Sequence, residues 1–393
     1  MTGNVHAGPA GGATRANEDG GVGIVTPRDY HHPAPFPLEL GGILEQLTLR
    51  YETYGTLNSD ASNAILLCHP LSGDHHAAGR HFHTDRKPGW WDPFIGPGRP
   101  FDTNRWFVIA VNCLGGCQGS TGPASINPAT GRAWGVDFPQ ITLRDMVRAQ
   151  RALIHSLGIH HLHSVAGGSM GGMQALLWAV DFPGESERVL AIACSYRLDA
   201  QAIAFNEIAR NAILSDPEWR DGHYAADAGP RTGLAIARML GHITYLSRAN
   251  LERKFARRER PPHSPPPRTL LPGRAPFPIQ YEVESYLNYQ GSIFPDRFDA
   301  NAYLHITKAT DRFDLSEGRP LEEVFDRVRS TIHLIGFSSD WLYPPSCNAP
   351  LLDALRTTGK PHTATIIDTD TGHDSFLLPS PALSQALRMA LEN

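Results

Sequence analysis

Short runs of almost unbroken apolar residues recur along the chain at positions 63–68, 106–112, 163–166, 189–194, 331–337 and 363–367. Hydrophobicity that continuous, over so few residues, is what strands buried on both faces require. Between most of these runs the period becomes helical, as over 143–157 and 173–182. That alternation predicts an α/β protein built on a mostly parallel, doubly wound sheet. The stretch 47–54 reads differently: Leu47, Leu49 and Tyr51 alternate with polar residues, which predicts an antiparallel opening strand.

The pattern changes between residues 196 and 316. Helical periods appear over 202–214 and 233–246, no strand-like run is found, and a charge run at 253–260 leads into the proline-rich stretch 261–272. The chain therefore divides into a core of residues 26–195 and 317–393 and a helical insertion, 196–316, placed where such sheets carry a lid. The charge run is expected to be a solvated helix face, and the proline-rich stretch a surface loop. Residues 1–25, rich in Gly, Ala, Thr and Asn without periodicity, are expected to form a disordered leader.

Bulk composition narrows the class. The 393 residues are 41% apolar and carry a net charge of -5 without a long basic stripe, so nucleic acid is not an expected partner. No apolar run is long enough to cross a bilayer and the first residues lack a signal-peptide pattern, so a cytoplasmic protein without a membrane partner is expected. The five cysteines include no CxxC pair; Cys113 and Cys117 are expected to be buried free thiols.

Chemistry concentrates at Gly167-Gly168-Ser169-Met170-Gly171-Gly172. A serine on a sharp turn between a strand and a helix is the nucleophile elbow of α/β-hydrolase-type enzymes, and the glycines let strand and helix pass closely. Such a nucleophile needs an acid and a histidine later in the chain. Asp340 follows the strand-like run 331–337 and His373 follows 363–367, so both fall on loops at the carboxyl edge of the sheet, in the order Ser, Asp, His. Asp314, Asp368 and Asp370 are rival acids, each also readable as a cap or turn residue. The backbone N–H groups of Met170 and Leu71 are expected to form an oxyanion hole. His69, His75, His76, His81 and His83 cluster after the first strand of the core. No metal is expected there, because no carboxylate stands at helical spacing to complete a zinc set. The glycine-rich segment 112–123 lacks the ending of a phosphate loop, and its glycines are expected to permit close packing beside the site.

Several separated motifs, Gly167 to Gly172, residues 112–123, residues 233–241 and Gly372-His373-Asp374, resemble those of homoserine O-acyltransferases, a family of the α/β-hydrolase superfamily. The resemblance implies an α/β-hydrolase fold with a helical lid and a homodimer formed through it. It also implies transfer of an acyl group from a coenzyme A thioester to L-homoserine through an acyl-serine, in the service of methionine biosynthesis. Acyl-CoA is then a co-substrate and no cofactor is needed. By position it implies Ser169 as nucleophile, Asp340 as orienting acid and His373 as base, with Arg238 holding the substrate carboxylate and Asp374 its ammonium group. Relatives that use succinyl-CoA tend to carry arginine two positions after the triad acid; here that position is Leu342, which implies acetyl-CoA as donor. Arg80, Lys87 and Arg248 are other cations that would serve a succinyl group. A serine acceptor, and a simple esterase with the same triad, are the neighbouring readings.

Overall fold

The computed structural model describes residues 21–225, 228–261, 263–266, 268–270 and 277–392. The described residues form ten strands: β1 (Arg28–His31), β2 (Phe36–Pro37), β3 (Ile43–Leu44), β4 (Thr48–Tyr54), β5 (Ala64–Cys68), β6 (Phe107–Val111), β7 (Leu162–Gly168), β8 (Ser186–Ile192), β9 (Thr331–Phe337) and β10 (His362–Ile367). Eight of them form one sheet in the order β1-β4-β6-β5-β7-β8-β9-β10, and β2 pairs with β3. From β6 to β10 every pairing is parallel, while β1 and β4 run antiparallel at one edge.

The helices are α1 (Leu143–Ser156), α2 (Met170–Asp181), α3 (Ala200–Leu214), α4 (Arg231–Tyr245), α5 (Arg248–Lys254), α6 (Glu282–Ile293), α7 (Ala300–Asp311), α8 (Leu321–Phe325), α9 (Ala349–Thr357) and α10 (Pro381–Glu392). Successive side chains of a strand point to opposite faces, so the apolar run Ala64–Cys68 feeds two cores at once. Leu66 and Cys68 join the face packed by Met146, Leu153 and Leu176 of α1 and α2. Ile65 and Leu67 join the other face, with Leu383, Leu387 and Leu391 of α10. Strand β10 closes the sheet differently, with its middle four residues exposed.

Between β8 and β9 the described residues contain helices α3 to α8 and no strand. The charge run 253–260 is not a helix face. Only Arg253 and Lys254 lie in α5, and Ala256 at φ 45° ends the helical path just before the prolines. Of the proline-rich stretch, residues 262, 267, 271 and 272 lie outside the described residues, as do residues 1–20 of the expected leader. Residues 21–25 share the leader's composition but are packed into the fold. Val22 and Val25 are buried, and Val25 N–H and Arg80 N–H exchange bonds with the carbonyls of Arg80 and Gly23. Two buried valines outweigh the surrounding glycines.

Candidate active site

Strand β7 delivers Ser169 at φ 58° and ψ −124°, a left-handed conformation that a non-glycine residue adopts only under constraint. Its N–H donates to the Ile192 carbonyl at 2.9 Å, and the neighbouring backbone supplies the remaining constraint. A Cβ on Gly171 would stand 2.0 Å from the Cys68 carbonyl oxygen, and one on Gly167 would stand 2.4 Å from the backbone of Gly171. Strand, turn and helix are thus in contact through bare backbone. Gly171→Ala is expected to cost about 3 kcal/mol or more, since backbone cannot rotate aside. A thermal melt should show Tm falling by about 5 °C or more; a melt unchanged from wild type would contradict the close approach.

The residues predicted from widely separated motifs meet at this turn. His373 opens a short turn after β10, and its Nε2 lies 2.9 Å from Ser169 Oγ. Its Nδ1 lies 2.7 Å from Asp340 Oδ2. The other Asp340 oxygen accepts from the N–H groups of Leu342 and Tyr343, at 3.0 Å each. A carboxylate held in this way accepts the Nδ1 proton and leaves the Nε2 lone pair toward Ser169. Burial disfavours the imidazolium, but the Asp340 charge and hydrogen bond, and the charge of Asp374, outweigh it and raise the His373 pKa. Tyr245, Tyr343 and Phe376 surround the ring at centroid distances of 5.3 to 5.9 Å, so its plane is fixed by packing as well as by hydrogen bonds.

The rival acids are occupied elsewhere. Asp314 accepts from Ser316 N–H and Oγ, Asp368 from Ser338 Oγ, and Asp370 pairs with Arg253. Of the five histidines after β5, His69 binds the Cys113 N–H through Nε2 and the Pro70 carbonyl through Nδ1. His83 is exposed. The other three gather around Glu52 of β4, away from Ser169 in the hydrogen-bond network.

Met170 opens α2, so its N–H has no carbonyl of that helix to bond. The Leu71 N–H forms no hydrogen bond to another described residue. Both residues line a small cavity with Ser169, Leu342 and Tyr343; α3, α4 and α7 close it with Phe205, Tyr245 and Tyr303 among others. No lysine or arginine among the described residues lines this cavity. Arg80, Lys87 and Arg248 are all exposed. Arg238 projects from α4 toward the Leu71 loop, donating to Ser72 Oγ at 3.3 Å and lying over the rings of Phe294 and Tyr245. Burial raises the pKa of Asp374 against the opposing charges of His373, Arg238 and Lys254. Neither Arg238 nor Asp374 forms an ion pair with another described residue.

A family model described as the alpha/beta hydrolase fold matches residues 63–379. The homoserine O-succinyltransferase of Acidithiobacillus ferrooxidans is 50% identical over 366 residues, which cover 92% of this chain and 93% of that protein. The homoserine O-acetyltransferase of Caulobacter vibrioides is 50% identical over 364 residues, 91% of this chain and 93% of that one. The chain belongs to the homoserine O-acyltransferase family of the α/β-hydrolase fold. Among solved structures, the homoserine O-acetyltransferase from Bacillus anthracis matches this family member with a TM-score of 0.85 at 30% identity, covering 94% of this chain and 98% of that chain.

Three features of this homoserine O-acyltransferase carry no linear signature. The aromatic cage around His373 draws on α4, the loop after β9 and the turn after β10. Ser72, which anchors Arg238, reads in sequence as an ordinary turn residue. Glu52 stands in a strand remote from the histidines it joins. Helices α6 and α7 were also not singled out by periodicity, and α7 contributes Tyr303 and Thr310 to the cavity wall.

Proposed function

We propose that the protein transfers an acetyl group from acetyl-CoA to the hydroxyl of L-homoserine by a two-step exchange at Ser169. His373 Nε2 takes the proton from Ser169 Oγ as the oxygen attacks the thioester carbonyl, and the Leu71 and Met170 N–H groups receive the oxyanion. The thioester C–S bond breaks, the imidazolium returns its proton to the departing thiolate, and the acyl group remains on serine. Homoserine then gives its hydroxyl proton to the same nitrogen and attacks the acyl-serine; the acyl–Oγ bond breaks, and the imidazolium returns the proton to Ser169 Oγ, restoring the free enzyme. Asp340 holds the tautomer throughout and stabilises the imidazolium.

The observation that carries the acceptor is a pair of opposite charges near His373, Arg238 and Asp374, neither in an ion pair with another described residue and each within the other's electrostatic reach. An amino acid brings one carboxylate and one ammonium, and each finds a partner there. A simple esterase has no need of the pair. The acceptor must also compete with water at about 55 M when itself at about 1 mM. That requires a preference of about 10⁵, or roughly 7 kcal/mol, which positioning and exclusion of water supply. Helices α3, α4 and α7, walling the cavity over Ser169, are the elements suited to it, and we assign them as the lid.

Kinship does not choose the donor, since relatives at about half identity carry both acetyl- and succinyltransferase names. The cavity supports acetyl. It encloses about 40 Å³, against roughly 10–15 Å³ needed for one water, and Leu342 occupies its wall where a cation would be needed. A succinyl carboxylate left unpaired there would cost several kcal/mol. The enzyme is further read as a cytoplasmic homodimer. No described helix is long and apolar enough to cross a membrane, and Ile203, Ile208 and Ile236 of α3 and α4 are exposed on the helical insertion.

Thiol release measured with each thioester, with and without L-homoserine or L-serine, tests the assignment. Continuous turnover is expected with acetyl-CoA and homoserine, at about tenfold or more the rate of either single replacement. A clear preference for succinyl-CoA would overturn the donor, and turnover indifferent to homoserine would overturn the acceptor.

A further inference from the structure

We propose that Glu52, His75 and His81 form a structural site for a divalent transition metal of the zinc class, separate from Ser169. The sequence argues against a metal among these histidines because no carboxylate stands at helical spacing to complete the set. The fold supplies one from β4. Glu52 Oε1 lies 2.6 Å from His81 Nε2 and 3.7 Å from His75 Nε2, and one donor atom from each of the three residues lies within 4.8 Å of the others.

The two oxygens of Glu52 are used differently. Oε2 accepts from Tyr54 Oη at 2.7 Å and lies 3.1 Å from His76 Nδ1, which fixes the plane of the carboxylate. Oε1 faces the two remaining imidazoles and is also 3.3 Å from His76 Nδ1. A ligating carboxylate oriented through its second oxygen is the usual arrangement around a bound metal.

His75 gives the independent indication of a ligand. Its residue exposure is 5%, yet neither ring nitrogen has a hydrogen-bond partner. Buried polar groups are almost always paired, and here Nε2 points at the oxygen that His81 also approaches. Hydrogen bonding within the cluster does not resolve this, because Tyr54 holds Oε2, His81 holds Oε1 and His76 Nδ1 straddles both, leaving the His75 ring unpaired. A cation among Oε1 and the two Nε2 atoms satisfies all three at once. Metal–nitrogen and metal–oxygen distances of about 2.0–2.2 Å in a tetrahedral site put donors roughly 3.4 Å apart. The His75 pair is near that separation already, and the His81 pair must open. Two imidazoles with one carboxylate suit zinc, cobalt or nickel rather than magnesium or calcium.

The site's place in the fold indicates its role. It ties β4 to the loop 69–81, and that loop carries the Leu71 N–H and Ser72, the partner of Arg238. The bound metal would hold that loop in position without touching the reacting atoms.

The full-length protein, stripped with chelator and desalted, should be equilibrated with about 100 μM Zn(II), freed of excess and its metal counted by mass spectrometry, with thermal melts in parallel. One ion per chain is expected, with a rise in Tm of a few degrees. His75→Gln and His81→Gln should each reduce the occupancy about tenfold or more and abolish the shift. The His81 side chain is 31% exposed, so that variant is expected to fold, and its loss of metal can be read even where His75→Gln fails to fold. Cobalt loaded in place of zinc should give the visible absorption of a low-coordinate ion in wild type and not in the variants. Occupancy below about a tenth of an ion in wild type, or occupancy unchanged in both variants, would overturn the proposal. The readouts do not involve activity, so they stand apart from the assignment of donor and acceptor.

Discussion

Wild-type protein mixed with acetyl-CoA alone is expected to release one thiol per chain and then stop, whereas Ser169→Ala releases none. Its kcat with homoserine present should fall by about 10⁴ to 10⁶. The size follows from what the serine oxygen does and what survives its loss. Ser169 Oγ is the hydroxyl held 2.9 Å from the His373 base, presented by a backbone at a strained φ of 58°. The oxyanion donors and the cavity remain in the variant, and they set its residual rate. A direct transfer, in which homoserine attacks the thioester with both substrates bound, predicts something else: no thiol from wild type until homoserine is added. A burst that persists in Ser169→Ala would place the acyl group on another residue. Intact-mass measurement of the protein after the burst distinguishes these outcomes, because only an acyl-serine adds the mass of acetyl to wild type and not to the variant.

What the chain reveals before folding depends on the range of the interaction. Strands β5, β6, β7 and β9 and the second half of β8 are legible because they are buried on both faces and must be largely apolar. The turn at Ser169 is legible because steric exclusion at Gly167 and Gly171 leaves a local glycine pattern. Asp340 and His373 are legible by rank order, since each follows a readable strand at the edge where such sites form. The contacts that tune these residues are not legible. Tyr245 faces His373 only because α4 folds back over the sheet, and nothing in its neighbours' spacing encodes that return. Glu52 fails for the same reason. Linear spacing reports ligands that share a helix or a turn, and the approach of β4 to the loop 69–81 is a tertiary event. The error at residues 21–25 has another source: composition registered the glycines, while the fold is decided by Val22 and Val25. The helical insertion lies between these cases, with α3 and α4 marked by period and α6 and α7 passed over. Helix α6 packs on α4 and α7 on α3, so their buried positions answer to other helices of the insertion rather than to a single flat core.

Asp340→Asn is expected to lower kcat by about 10⁴, the scale of the same change in a serine-protease triad, while leaving the fold in place. Asparagine keeps an oxygen where Oδ1 accepts from Leu342 and Tyr343, so the loop after β9 retains its anchor. The amide nitrogen then takes the position of Oδ2, where it donates and cannot accept. His373 must present its Nδ1 lone pair to that donor and carry its proton on Nε2, facing Ser169, and a protonated Nε2 cannot serve as base. The pH profile provides the second test. In wild type the charge and hydrogen bond of Asp340 lift the His373 pKa above its usual 6.5 in spite of burial. The neutral imidazole is the active form, so kcat/KM for acetyl-CoA should rise with pH through that elevated value and level off above it. Removing the carboxylate removes the largest of the raising influences and leaves burial, which favours the neutral ring. The acidic limb of the variant should therefore move to lower pH even as its plateau falls. A plateau within about tenfold of wild type would deny Asp340 its orienting role, and a limb displaced to higher pH would reverse the electrostatic account of His373.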